Sequence, residues 1–286
     1  LVQTSADFAR LMDNHQRAQL AGKAPLWHAD TNEYLAVGAL RCGDHARARS
    51  LMRESFLKIT RGGARRHKAI GKRAVLTVSN AARALDDLNR VLSDAGIAMF
   101  LVSGTLLGCM REGRLLGHDK DVDVGIWEDV PRPALLAALQ GCGLFRLQAS
   151  RSAELVRVRH VNGTAIDVFY HYRQADSYWH GGVKIRWHNR PFTLTSRRFL
   201  GRDFLVPEDY DTYLTENYGD WRIEVKQFDS AFDTPNAEIV NHDEMAIYTY
   251  RLLIENRYAD RTPRYLAYLR AHGEKEFLAG IEAGQT

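Results

Sequence analysis

The sequence predicts an α+β protein: a small mixed sheet flanked by helices, with an N-terminal helical appendage and a helical C-terminal part. Three observations carry this expectation. Apolar residues recur at helical spacing before Arg61 and again after Asn241, short apolar runs bounded by glycine fill the stretch from Ala98 to Val206, and the first of those runs alternate with helical segments. With 286 residues and 45% hydrophobic content, the chain can bury the core of one large domain, with or without an appendage.

The elements follow in order. Thr4-Ser5-Ala6-Asp7 reads as a helix start before Phe8, Leu11 and Met12, and Asp30-Thr31-Asn32-Glu33 as another before Tyr34, Val37 and Leu40. After the Gly43-Asp44 break, Ala46 to Ile59 continues at helical spacing. The pair is like a single tetratricopeptide-type hairpin, but no fixed-period repeat accompanies it, so a capping or partner-docking appendage is the modest reading. Arg61-Gly62-Gly63-Ala64-Arg65-Arg66-His67-Lys68, with Lys72 and Arg73, is a basic linker that divides residues 1–68 from 69–286; it is a solvated connection or an approach surface for an anion. A helix from about Val75 to Ala95, closed by Gly96, leads into a strand from Ala98 to Ser103. Further on, Asn162-Gly163 signals a hairpin between Leu155–His160 and Ala165–Phe169. From Tyr178 to Val206 the runs are strand-like, and from Asn241 onward the chain is helical, with Tyr248, Leu252 and Leu253 as core candidates.

Charge excludes little. The 39 basic and 35 acidic residues leave +4, which suits an anionic ligand but is far from a nucleic-acid-binding extreme, so no nucleic-acid partner is expected. Cys42, Cys109 and Cys142 are widely spaced, which favours free buried thiols over a zinc knuckle or disulfide scaffold. The sequence has neither an apolar run long enough for a membrane span nor a signal-peptide pattern, so a reducing cytoplasm is the default expectation. Leu1 stands where an initiator methionine would, which raises the expectation of a longer polypeptide.

The chemistry concentrates in two runs. Ser103-Gly104-Thr105-Leu106-Leu107-Gly108 and Arg111 precede Asp119-Lys120-Asp121-Val122-Asp123-Val124-Gly125, a glycine turn followed by closely spaced acids. On a strand, Asp119, Asp121 and Asp123 point one way while Val122 and Val124 enter a core. Carboxylates crowded in this way repel unless a cation lies among them, and magnesium, or manganese in its place, suits such oxygen donors. Asp167, alone in the apolar run Ala165-Ile166-Asp167-Val168-Phe169, is a third candidate, although a buried Arg or Lys could neutralise it instead. Asp119 either extends the site or caps a loop. Ser103, Gly104 and Thr105 can offer N–H groups and hydroxyls to phosphate oxygens at a helix start, and Arg111 either reaches the phosphates or fixes the helix against an acid. Lys184 and Arg186, interleaved with Trp179, Trp187, His188 and Arg190, could pair with phosphate beside a stacked base or sugar; an exposed hairpin with snorkelling side chains fits equally. His160 and His171 flank the Asp167 run, where an uncommitted surface histidine is expected over an acid or base.

At these residues the chain resembles the LicD family, a branch of the nucleotidyltransferase-fold (polymerase-beta-like) superfamily that includes fukutin and fukutin-related protein. The shared blocks are Gly104 to Gly108, Arg111, Asp119, Asp121-Val122-Asp123, Ile166-Asp167-Val168-Phe169, and then Val206-Pro207-Glu208-Asp209-Tyr210 through Tyr213-Leu214 to Tyr218-Gly219-Asp220-Trp221. Lys120 departs from the pattern, standing where the family commonly has another acid. The resemblance implies a catalytic domain over residues 69–286. It also implies transfer of a phosphorylated alcohol, such as phosphocholine or a polyol phosphate, from a CDP-linked donor to a glycan or glycolipid hydroxyl. In that scheme Asp121, Asp123 and Asp167, with Asp119 beside them, hold magnesium, and Asp167 can take the acceptor proton. A cytoplasmic site at the inner membrane surface would suit such an acceptor. Nucleotidyl transfer from a nucleoside triphosphate would use the same acids. A noncatalytic glycan- or nucleotide-binding module is disfavoured, because the candidate metal ligands are retained.

Overall fold

A computed structural model describes residues 2, 4–23, 29–61, 77–117, 119, 121–225, 227–255 and 259–284. The basic linker beyond Arg61, the expected boundary at residues 68–69, His118 and Lys120 lie outside the described residues. Helices α1 (Ser5–Leu20), α2 (Ala29–Arg41), α3 (His45–Thr60) and α4 (Val78–Asp94) come first. They are followed by β1 (Phe100–Leu101), α5 (Ser103–Glu112), β2 (Asp121–Trp127) and α6 (Arg132–Gly141). Next come β3 (Phe145–Gln148), β4 (Leu155–His160), β5 (Ala165–Arg173), β6 (Tyr178–Gly181), β7 (Ile185–Asn189), β8 (Leu194–Phe199) and β9 (Arg202–Pro207). The chain closes with α7 (Tyr210–Tyr218), β10 (Ala237–Ile239), α8 (His242–Glu255), α9 (Thr262–Leu269) and α10 (Lys275–Glu282). Packing divides these into two compact units, residues 71–240 and residues 1–70 with 241–286.

The first of these units holds the mixed sheet, which extends to ten strands among the described residues. The order β10-β7-β6-β5-β2-β1-β9-β8 forms the main path, and β4 pairs with β3 and with the first half of β5. Strands β2 and β5 run parallel with Asp123 opposite Asp167. Alternation decides their two faces. Val122, Val124, Ile166 and Val168 are fully buried, in one core with α4, whose buried Ala81, Ala84, Leu85, Leu88, Val91 and Leu92 form its apolar stripe. Burying each large side chain contributes on the order of 1.5–3 kcal/mol. The acids are left on the opposite face. β1 is shorter than the sequence suggests, because the chain turns into α5 at Ser103, a non-glycine residue with φ of 48°.

The helical unit corrects the expected domain organisation. Residues 241–286, read from sequence as part of the catalytic domain, pack instead with the N-terminal helices: Ala246, Tyr250, Leu269 and Leu278 share a core with Phe8, Leu35, Ala36, Leu51 and Met52. The physical reason is that α2 and α3 need a further helix to cover their apolar stripe, and α8 supplies it. Glu274, with a fully buried side chain, ties the halves together by accepting from Arg49 at 2.9 Å, Arg53 at 2.6 Å and Tyr250 at 2.7 Å. The N-terminal start reads as expected, since Thr4 and Asp7 form a capping box with both bonds at 3.1 Å. None of the helices among the described residues is long and apolar enough to cross a membrane.

Candidate active site

The glycine turn and the two carboxylate strands meet at one place. Thr105, at the start of α5, accepts a 2.8 Å hydrogen bond from the Asp123 N–H through its buried hydroxyl. The Gly104 N–H donates to the Asp123 carboxylate. Gly104 also has no room for a side chain, because a Cβ there would lie 2.6 Å from an oxygen of Asp119. Two residues beyond Asp123, Gly125 is required for a similar reason: the rings of Phe100 and His171 lie where its Cβ would be. The glycines therefore let α5 and the neighbouring rings close on β2 while the acids keep their place.

Asp121, Asp123 and Asp167 each offer a carboxylate oxygen, and these atoms all lie within 4.8 Å of one another. Burial, then the neighbouring charges of Asp121, Asp167 and Asp119, push the Asp123 carboxyl well above the ordinary carboxylate range, against the Gly104 N–H. Burial also raises Asp167, with Arg157 opposing and Asp121 adding to the shift. A hard divalent cation fits this donor set, which offers three converging carboxylate oxygens. Asp119 lies against Gly104 and adds its charge to Asp123 without belonging to the converging trio.

Arg157 is the residue that sequence reasoning left unnamed. It stands opposite Asp167 on β4 and donates to one Asp167 oxygen from Nε at 3.2 Å and Nη2 at 2.9 Å. The Asn162-Gly163 hairpin signal fixes this register, so the pair could have been found by counting back from the turn. Tyr213 and Tyr218 on α7 were also missed as site residues. The Tyr213 hydroxyl is buried with no hydrogen-bond partner among the described residues, and burial followed by the Asp123 charge raises the pKa of both phenols.

Other expected site residues are placed differently. The Arg111 guanidinium donates to the Trp221 carbonyl at 3.3 Å and to Glu112 at 3.2 Å, which gives it a role in joining α5 to the segment after α7. The Thr105 hydroxyl already serves Asp123. Arg186 stacks on Trp179 at 4.1 Å, and Trp179 stacks on Tyr172 at 4.2 Å. Tyr172 alternates with Asp167 along β5, so this stack lies on the opposite face of the sheet from the acids. Lys184, just before β7, contributes its carbonyl to Val240 at 3.0 Å. Trp187 is on the acid-bearing side through Phe169, with ring centroids 6.3 Å apart. His160 and His171 are buried rather than surface residues. His160 lies 3.2 Å from Asp87, whereas His171, stacked on His180 at 4.2 Å, is pushed down to about 3 by burial.

Residues 96–209 match the family model described as LicD/FKTN/FKRP, nucleotidyltransferase domain. Over that segment the chain is similar to the LicD family's nucleotidyltransferase domain. Relatives include the mouse ribitol-5-phosphate transferase FKTN, 30% identical over 159 residues, and its human counterpart, 28% identical over 159 residues. The mouse alignment covers 52% of this chain and 34% of the relative, as does the human one. The chain thus spans about a third of the length of these relatives. Among solved structures, the adenylyltransferase ANT(2")-Ia with adenylyl-2"-tobramycin is 12% identical, with a TM-score of 0.37 over 67% of this chain and 98% of that one. Lincomycin-bound LnuA, a lincosamide antibiotic adenylyltransferase, is 11% identical, with a TM-score of 0.36 over 46% of this chain and 83% of that one. A likeness of this degree carries no argument about activity.

Proposed function

We propose that the chain is a metal-dependent phosphotransferase that moves a phosphorylated alcohol from a CDP-linked donor to a hydroxyl of a glycan. The observation that carries the reading is the convergence of Asp121, Asp123 and Asp167 beside the start of α5, inside the segment that matches the family. A polyol phosphate is the favoured cargo, since the mouse and human relatives are named ribitol-5-phosphate transferases.

The three carboxylates would hold magnesium or manganese. Bound there, the ion would neutralise diphosphate charge and lower the pKa of the acceptor hydroxyl. The chain supplies position: the α5 start, with N–H groups at a helix N-terminus, receives the donor phosphates, while Gly104 lets α5 close on Asp119 and Asp123. The acceptor oxygen attacks the phosphorus that carries the alcohol, its proton passes to an Asp167 oxygen, and the bond from that phosphorus to cytidine monophosphate breaks. Arg157 holds Asp167 in orientation throughout.

Incubating the purified protein with magnesium, a glycan acceptor and either CDP-ribitol or CTP tests this reading, with mass spectrometry of the acceptor. Added ribitol phosphate with release of cytidine monophosphate is expected. Added nucleotide with release of pyrophosphate would overturn the reading in favour of nucleotidyl transfer.

A further inference from the structure

The acid-bearing face continues past Asp167 into a row of arginines. Cα register aligns Asp121 on β2 with Ala165 on β5, Arg159 on β4 and Arg146 on β3; the next line runs Asp123, Asp167, Arg157 and Gln148. Paired residues share a face. Burial agrees, since Val156, Val158 and His160 are buried on the other side while Arg157, Arg159 and Arg146 are exposed. Resting on the transfer reading above, we propose that Arg146, Arg159 and Arg157 form a binding strip for a phosphate group carried by the acceptor.

Direction supports the assignment. The α5 start contacts Asp123 from the β1 side of β2, so donor phosphates seated there lie on that side of the acids. In-line displacement brings the nucleophile from opposite the leaving group, which places the acceptor over β5 and β4. Strands are about 4.8 Å apart, so Arg159 stands about 10 Å and Arg146 about 14 Å across the sheet from Asp121. That leaves room for about one polyol or sugar residue between a reacting hydroxyl and an anion on the strip.

Charge supports it as well. Arg157 is half offset by Asp167, with its side chain still 52% exposed. Arg159 donates to the neutral Gly163 carbonyl at 2.8 Å and keeps its full charge. No hydrogen bond or ion pair occupies the Arg146 guanidinium among the described residues, and the neighbour opposite Arg157 is the uncharged Gln148. Planar guanidinium groups projecting from adjacent strands match the oxygens of a phosphate better than neutral hydroxyls.

The test uses the full chain saturated with magnesium and CDP, so that the nucleotide site is filled, and titrates glycerol 3-phosphate against glycerol by calorimetry. Glycerol 3-phosphate is expected to bind, glycerol not, and the affinity to fall with added salt. The Arg146→Gln/Arg159→Gln double variant should lose at least tenfold in affinity for glycerol 3-phosphate with magnesium and CDP binding unchanged. Arg146→Gln alone, which removes no contact within the fold, should lose about threefold. Equal affinity of wild type and both variants would overturn the strip. Failure of magnesium and CDP to bind at all would overturn the transfer reading instead, and the strip would then be judged by the same titration without them.

Discussion

Two carboxylate sites, one in each unit, follow opposite rules. Glu274 in the helical unit is fully buried and receives two arginines and a tyrosine. Asp123 in the sheet unit is surrounded instead by Asp121, Asp167 and Asp119, and Arg157 is ion-paired with Asp167. A buried charge whose partners are complete holds a fold together, whereas carboxylates crowded together are the arrangement a bound cation would relieve, as the proposed function requires.

The largest expected effect separates the two. Asp123→Asn should lower the rate of transfer by about 10²–10³-fold or more, the scale of a preorganised electrostatic contact, while the thermal midpoint of the metal-free protein stays equal or rises because like-charge repulsion is relieved. Steady-state kinetics and a melt on the same preparation check both halves. Glu274→Gln should do the reverse, destabilising the helical unit by about 3–5 kcal/mol, the cost of breaking a buried ion pair, with transfer per folded molecule little changed. Denaturant unfolding reads this directly. Ending the chain at Val240 sharpens the contrast further, because it removes Glu274 and the core residues Ala246, Tyr250, Leu269 and Leu278. Residues 1–70 should then unfold without cooperativity, as seen by amide exchange, while the sheet unit keeps its transition.

A smaller effect concerns pH. Asp123 and Asp167 are raised in the folded state, so their contribution to metal-free stability is fully present below the unfolded carboxyl value of about 4 and is lost as pH rises through their higher folded values. The metal-free protein should therefore lose stability as pH increases from about 4 toward neutrality, and magnesium should restore more of it at the higher pH. Asp123→Asn should flatten that dependence.

How much of this was legible in the sequence depended on distance along the chain. The capping box at Thr4 and Asp7, the helix closed near Gly96, the Asn162-Gly163 hairpin and the shared face of Asp121 and Asp123 all follow from spacings of a few residues, and the structure shows each one, while Asp119, expected on the same strand, lies before it. Arg111 was legible only as a choice between reaching phosphate and fixing the helix, and its contact with Trp221 lies beyond local pattern. Arg186 was misplaced because the sequence between Tyr172 and Arg186 contains two strand breaks, and the parity of a face cannot be counted across them. The union of α8 to α10 with the N-terminal helices is a long-range packing of apolar faces, fastened by Arg49, Arg53 and Glu274, residues whose types alone read as solvated charge.

Manganese binding followed by electron paramagnetic resonance, with and without CDP, tests the central claim most directly. The account predicts that the full chain binds manganese, that CDP tightens the binding, and that Asp121→Asn and Asp123→Asn each weaken it at least tenfold. A wild-type protein that takes up no ion with CDP present, or an Asp123→Asn variant that binds it as tightly as wild type, would contradict the account.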